Sequence, residues 1–285
     1  MLRFENGSIV SNVSAWQERR HEVKQLLQEY ILGTLPETVP PLRRARVINT
    51  TKTALSSSTF VELAFDVSAG GVRTAEDLLT FPIEVLSPLG SGPFPLFLSQ
   101  WNHREWVLMG LARGYVSVIY PAADTRDAAP AFQAAYPNAT MMLIIARAFV
   151  TSRVLDFLLQ PQRLGPLPAI DTSQVAITGH SRNGKLSLIA AAFDERITAV
   201  VGSSPGAPIS SPWYFSGPNY YGEGPLTGGV AGSWWLKSVE QYHGHPERLP
   251  MDGHGVIALI APRHCAIAHG WSDHEGDLVF SDEMN

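Results

Sequence analysis

The sequence predicts an α/β fold: a doubly wound, mostly parallel sheet with antiparallel strands at its N-terminal side. Two observations carry that prediction. Between Pro95 and Phe193 short apolar strand patterns alternate with longer helical ones, the rhythm of parallel strands covered by helices on both faces. Upstream, two segments with strand character, Phe60 to Val67 and Leu78 to Leu86, are separated by the Gly70-Gly71 turn signal, as antiparallel neighbours are. With 285 residues and 45% hydrophobic content, the chain can bury one large core, and residues 1–285 read as a single domain.

The first element runs from about Ser14 to Leu32. Ser14, with Gln17 and Glu18 nearby, supplies a helix N-terminus, Gly33 a stop, and Leu26, Leu27, Tyr30 and Ile31 an apolar face. A proline-rich strap, Pro36 to Pro41, leads into the two antiparallel segments. The alternation then reads Pro95 to Ser99 (strand), Trp106 to Arg113 (helix), Tyr115 to Tyr120 (strand), Met141 to Gln160 (helix), Val175 to Thr178 (strand) and Asn183 to Phe193 (helix). Thr198 to Val201 and Cys265 to His269 add strands, while Val256 to Ala261 fits either state, helix being preferred. Residues 203–242 are rich in Gly, Pro and aromatic side chains without periodicity, which marks a functional insertion or lid near the site. In such sheets ligands bind at the carboxyl ends of the strands.

Composition narrows the partners. With 21 Lys+Arg against 26 Asp+Glu the formal charge is -5, and only 16% of residues are charged. Nucleic acid is therefore excluded as a partner, because phosphate neutralisation needs clustered cations in excess. No apolar run reaches the roughly 18 residues of a membrane span. The start of the chain, Met1 to Gly7, has no apolar signal core, so any export signal would have to lie upstream. Small molecules, neutral polymers or proteins remain. The lone Cys265 lies in an apolar stretch and reads as a buried, inert thiol. His243 and His245 lack a nearby third ligand and no phosphate loop is visible, so neither metal nor cofactor is expected.

The sharpest chemical signal is the run from Val175 to Lys185, where a strand passes into a helix through Gly179, His180, Ser181, Arg182, Asn183 and Gly184. In a nucleophile elbow the serine occupies such a turn, small residues let strand and helix pass closely, and the helix N-terminus faces the hydroxyl. Ser181 fits that position. Asn183 fills the second glycine position of the common G-x-S-x-G pattern, with Gly184 one residue later.

The run Ser181-Arg182-Asn183-Gly184-Lys185 resembles the glucuronoyl esterase family, carbohydrate esterase family 15, within the α/β-hydrolases. Further landmarks share the resemblance. Trp16, Arg19-Arg20, Tyr30, Gly33 and Pro36 are similar to the family's opening helix, and Gln100-Trp101-Asn102-His103-Arg104 to its loop after an inner strand. Phe193-Asp194-Glu195-Arg196 resembles the end of its nucleophile helix. Leu249-Pro250-Met251-Asp252, His254 and the stretch from Ala258 to Arg263 resemble its late signature. The resemblance implies an α/β-hydrolase fold and a serine esterase that cleaves esters of (4-O-methyl-)glucuronic acid, as in lignin–glucuronoxylan cross-links. It further implies that Ser181 is the nucleophile, that Arg182 stabilises the oxyanion, that Lys185 contacts sugar hydroxyls, and that Trp234, or Trp235 if the match is off by one, contacts the sugar. A polymeric substrate of that kind implies a secreted or periplasmic protein.

Two expectations depart from the family pattern. Where the family often carries its acid as Glu, this chain has Ser203-Ser204-Pro205-Gly206, so the acid is sought in the stretch after Cys265 to His269. Asp273 is the choice, with Glu275 and Asp277 as substitutes. The family's histidine follows its last core strand, yet eight residues separate Asp277 from Asn285. The expectation is a chain truncated at its C-terminal side relative to the family, with His269 as a remote substitute base, His180 shaping the turn and His254 structural. The insertion's other aromatics, Trp213, Tyr214, Phe215, Tyr220 and Tyr221, read mainly as packing, and Glu223 has no assigned role. The alternatives are a carbohydrate acetyl esterase or another α/β-hydrolase esterase, and a non-catalytic carbohydrate-binding relative.

Overall fold

The computed structural model describes residues 1–68, 78–160, 167–210, 212–215, 231–242 and 244–270. Helix α1 (Val13–Leu27) runs into one π turn, Gln28–Leu32. Strands β1 (Leu42–Lys52), β2 (Ser56–Asp66), β3 (Leu78–Pro88) and β4 (Phe94–Gln100) follow, then α2 (Arg104–Ala112) and β5 (Val116–Tyr120). A small hairpin, β6 (Ala122–Ala123) and β7 (Arg126–Asp127), precedes α3 (Ala129–Ala135) and α4 (Leu143–Leu158). The segment around Ser181 is β8 (Ile170–His180) and α5 (Arg182–Phe193), followed by β9 (Ala199–Ser203), the short α6 (Ala231–Trp234), α7 (His254–Ile260) and β10 (His264–Ala268).

Among the described residues eight strands form one sheet in the order β1-β2-β3-β5-β4-β8-β9-β10. β1, β2 and β3 are antiparallel, as is the β3–β5 pair, whereas β5, β4, β8, β9 and β10 run parallel. The chain moves one way from β4 to β5 and then returns past β4 to β8, so the strand order reverses at β4. A crevice at the carboxyl ends of β4 and β8 follows from that reversal. Neighbouring residues of β5 show both faces covered. Val118 joins the main core with Ile144, Ile145 and Leu188 of α4 and α5, while Ile119 packs with Leu86 and with Val107 of α2.

Several expectations need correction. The first helix starts at Asn12, whose Oδ1 accepts from the Ala15 N–H at 2.9 Å, and not at Ser14; an Asx side chain meets the free helical N–H groups readily. β1 escaped the sequence reading because it is an edge strand. Most of its side chains are exposed, Arg43, Arg44 and Arg46 among them, and an edge of this kind has little apolar patterning to detect. Cys265 is exposed, contrary to the buried thiol expected, because β10 pairs with β9 as the last strand of the sheet and all five of its residues are exposed. The preference for helix at Val256 to Ala261 agrees with α7.

The landmarks of the opening helix and of the end of α5 turn out to meet. Arg20 of α1 donates to the carbonyls of Leu259 at 2.7 Å and Ala261 at 3.0 Å and pairs with Glu195 at 2.7 Å. Arg263 donates to the carbonyls of Ile197 at 2.7 Å and Leu259 at 3.1 Å. These guanidiniums satisfy helix-end and loop carbonyls that would otherwise be buried without a donor. No helix among the described residues is long and apolar enough to cross a membrane.

Candidate active site

β8 ends at His180 and α5 begins at Arg182, which leaves Ser181 alone on the turn with φ 54° and ψ -125°. A side-chain-bearing residue held there costs of order 1–3 kcal/mol and persists only where the surroundings fix it. Here the Ser181 N–H donates to the Ser203 carbonyl at 2.8 Å and its own carbonyl accepts from the Lys185 N–H at 3.0 Å. Two glycines permit the close crossing. A Cβ on Gly179 would stand 2.3 Å from the Asn183 carbonyl oxygen, and one on Gly184 would stand 2.9 Å from that of Ser203. The displaced glycine at 184 therefore serves the contact with β9, and Asn183 at the usual glycine position is accommodated.

The bed of the turn is polar and buried. Gln100, at the end of β4, donates from Nε2 to Tyr120 Oη at 3.0 Å and Ser187 Oγ at 3.1 Å, and Ser187 Oγ donates to the Asn183 carbonyl at 2.8 Å. Tyr120 Oη also lies 2.9 Å from Thr151 Oγ1, and burial pushes its pKa up to about 12. His103 closes one side. Its Nε2 accepts the His180 N–H at 3.3 Å and lies 3.1 Å from Asn183 Nδ2, while its ring stacks on Trp106 at 4.8 Å. Because a backbone N–H can only donate, Nε2 is unprotonated, and burial together with the neighbouring His180 lowers the pKa of the ring. His180 turns its Nδ1 to Ser203 Oγ at 3.2 Å.

The other expected residues divide into those brought to the elbow and those that are not. Arg182 Nη1 pairs with Asp124 Oδ2 at 3.0 Å, and its guanidinium carbon lies 5.1 Å from the centroid of the Trp234 ring. Lys185 is buried in the first turn of α5. Of the two adjacent tryptophans it is Trp234 that reaches Arg182; Trp235 is buried against Trp213, centroids 5.8 Å apart. At the end of β9, Ser204 and Gly206 adopt φ values of 40° and 67°, a turn that carries hydroxyls and no carboxylate. Asp273, Glu275 and Asp277 lie outside the described residues, as do Tyr220, Tyr221, Glu223 and His243. His269 directly follows β10, at the carboxyl ends of the parallel strands. His254 packs against Tyr214, ring centroids 5.7 Å apart. His245 is exposed and meets Glu247 at 3.2 Å.

Three residues at the site escaped the sequence reading as site residues: His103, Asp124 and Arg147. Arg147 Nε donates to Asp127 Oδ2 at 2.7 Å, Nη2 to Asp124 Oδ1 at 2.8 Å, and its guanidinium carbon is also 5.1 Å from the Trp234 ring centroid. A signal for it existed: an arginine inside the apolar run of α4, which also holds Arg153, where burial demands a partner.

The family described as "Glucuronyl esterase, fungi" matches residues 71–278. The chain is 28% identical over 268 residues to a 4-O-methyl-glucuronoyl methylesterase of Hypocrea jecorina, covering 90% of this chain and 54% of that protein. It is 26% identical over 275 residues to a 4-O-methyl-glucuronoyl methylesterase of Podospora anserina, covering 91% of this chain and 52% of that protein. The chain thus spans about half the length of these relatives. Its fold is similar to that of a promiscuous CE15 esterase from a marine bacterial metagenome, with a TM-score of 0.76 and 22% identity, covering 97% of this chain and 79% of that one. By its sequence match over most of its length, the chain belongs to the glucuronyl esterase family.

Proposed function

We propose that the chain is a serine esterase that hydrolyses esters of glucuronic acid, as its relatives' names describe, with Ser181 as nucleophile. The observation that carries the proposal is Ser181 held at φ 54° between β8 and α5, beside a guanidinium and a tryptophan ring. In this mechanism Ser181 Oγ attacks the ester carbonyl and a histidine base takes its proton, with Asp273 assigned as the acid that orients the histidine. The negative charge of the tetrahedral intermediate meets the Arg182 backbone N–H and guanidinium at the N-terminus of α5. Collapse expels the alcohol, which takes up the proton. Water then cleaves the acyl-serine, releasing the uronic acid and restoring the hydroxyl. Lys185 and Trp234 are assigned to the sugar: the ammonium as donor to hydroxyls, the ring as an apolar face for C–H groups. An extracellular or periplasmic location follows from a plant-polymer substrate and is tested by cell fractionation.

The test is hydrolysis of benzyl glucuronate and of an aryl acetate by the native protein and by Ser181→Ala. Cleavage of the uronate ester by the parent and its loss in the variant are expected; equal rates would remove the nucleophile assignment. Preference for the acetate would favour an acetyl esterase. A second reading rests on the hydroxyl-only turn after β9: glucuronoxylan binding without any release of alcohol would make the protein a carbohydrate-binding relative.

A further inference from the structure

We propose that Arg147 and Asp124 are positioning residues: a relay from α4 that fixes the direction of the Arg182 guanidinium beside the nucleophile and holds Trp234 with it. The role assigned to Arg182 rests on the esterase reading above, while the relay itself rests on the geometry.

Arg147 lies within α4 with its side chain 2% exposed. Desolvating a guanidinium is expensive, and a well-packed apolar side chain in its place is often neutral or stabilising for a fold. Core stability therefore gives no reason for this arginine. Two carboxylates hold it, Asp127 on Nε and Asp124 on Nη2, while its buried Nη1 has no hydrogen-bond partner among the described residues. A side chain clamped at two points keeps a fixed orientation.

Asp124 turns that fixed point toward the site. It sits at the tip of the β6–β7 hairpin, with Oδ1 on Arg147 and Oδ2 on Arg182. The hairpin is itself tethered: Thr125 Oγ1 donates to Asn102 Oδ1 at 2.7 Å, the Arg126 guanidinium carbon lies 3.7 Å from the Trp101 ring centroid, and Asp127 Oδ1 accepts the Ala129 N–H at 2.9 Å. The Asp124 and Arg182 side chains are each 46% exposed, and an isolated pair so exposed contributes roughly 0–1 kcal/mol. Its value here is direction. The carboxylate is anchored on a buried cation and cannot follow Arg182 through its many rotamers, so the guanidinium is drawn to one place. Trp234, with both guanidinium carbons 5.1 Å from its ring centroid, fills the angle between them.

The test uses Asp124→Asn, Arg147→Met and the double variant, in the native protein, with two readouts. The first is steady-state hydrolysis of benzyl glucuronate. Misplacing a transition-state donor should lower kcat about tenfold with KM changed less than about twofold. The double variant should be no worse than the poorer single one, since both break one relay. The second is the Arg182 side-chain Nε–Hε resonance, identified by its loss in Arg182→Lys. It should be distinct and slowly exchanging in the parent and averaged with exposed arginines in both variants. Asp124→Asn changes an exposed position and keeps the test usable if Arg147→Met fails to fold. An unchanged Arg182 resonance in Asp124→Asn overturns the relay, as do multiplying losses in the double variant or an unchanged kcat once the resonance has averaged. If the parent leaves the uronate ester uncleaved, the esterase reading falls, and the resonance alone then decides the relay.

Discussion

Ser181 holds a backbone conformation that glycine adopts at no steric cost, which makes the β8–α5 turn a measurable reservoir of strain. Ser181→Gly should be more stable than Ser181→Ala by about 1 kcal/mol in urea unfolding, the relieved strain exceeding the entropy of the extra glycine; equal midpoints would mean the turn is unstrained. Asp252 offers a second test at this scale. Its carboxylate accepts from the Tyr214 N–H at 2.8 Å and the Gly253 N–H at 2.6 Å, yet burial outweighs these bonds and pushes its pKa up to about 6. A folded-state pKa above the unfolded value of about 3.9 means that the group's contribution is complete below pH 4 and lost as pH rises to 6. The parent should thus lose about 2 kcal/mol between pH 4 and pH 6.5 relative to Asp252→Asn, whose own cost is independent of pH. A pH dependence shared by both proteins would locate the titration elsewhere. Ser181, Arg182 and the late signature around Asp252 were legible in the sequence because their spacing is local. Arg147 and Asp124 were not, since 23 residues separate the two partners of that pair and only folding brings them together.

At the scale of elements, the crossing of β8 and α5 sets the demand on Gly179. Its missing Cβ is replaced by the Asn183 carbonyl, a backbone atom that cannot rotate away. Gly179→Ala should cost about 2 kcal/mol and lower turnover by shifting Ser181. A variant as stable and as active as the parent would show that the crossing has slack. The alternating pattern from β4 to α5 was readable because parallel strands covered on both faces are near-continuous apolar runs. β1 was not, because an edge strand made of exposed arginines and threonines has no such run. The described residues of the aperiodic stretch 203–242 divide in their packing. Trp213 and Trp235 pack into the body, whereas Trp234 stands against two guanidiniums.

Across the whole molecule, Arg20 ties the first helix to the C-terminal end of α7 and to the turn after α5, joining parts of the chain 239 residues apart. Arg20→Met should cost about 2 kcal/mol, since the Ala261 carbonyl loses its donor and that of Leu259 keeps only Arg263. Glu195→Gln should cost under about 1 kcal/mol, because that carboxylate is largely exposed. Equal losses from the two variants would assign the stabilisation to the ion pair instead of the buried carbonyl contacts.

By itself the sequence determined the fold class, the order of the central strands and helices, the elbow serine and the family. Each of these rests on local spacing or on a run of apolar residues, which any chain of that pattern must satisfy. The tertiary structure decided what spacing does not encode: that Trp234 and not Trp235 reaches the elbow, that Cys265 lies exposed on the last strand, and that a buried arginine of α4 reaches Arg182 through one aspartate. Those outcomes depend on which faces and strand ends pack together, and long-range packing leaves little periodic trace in the chain.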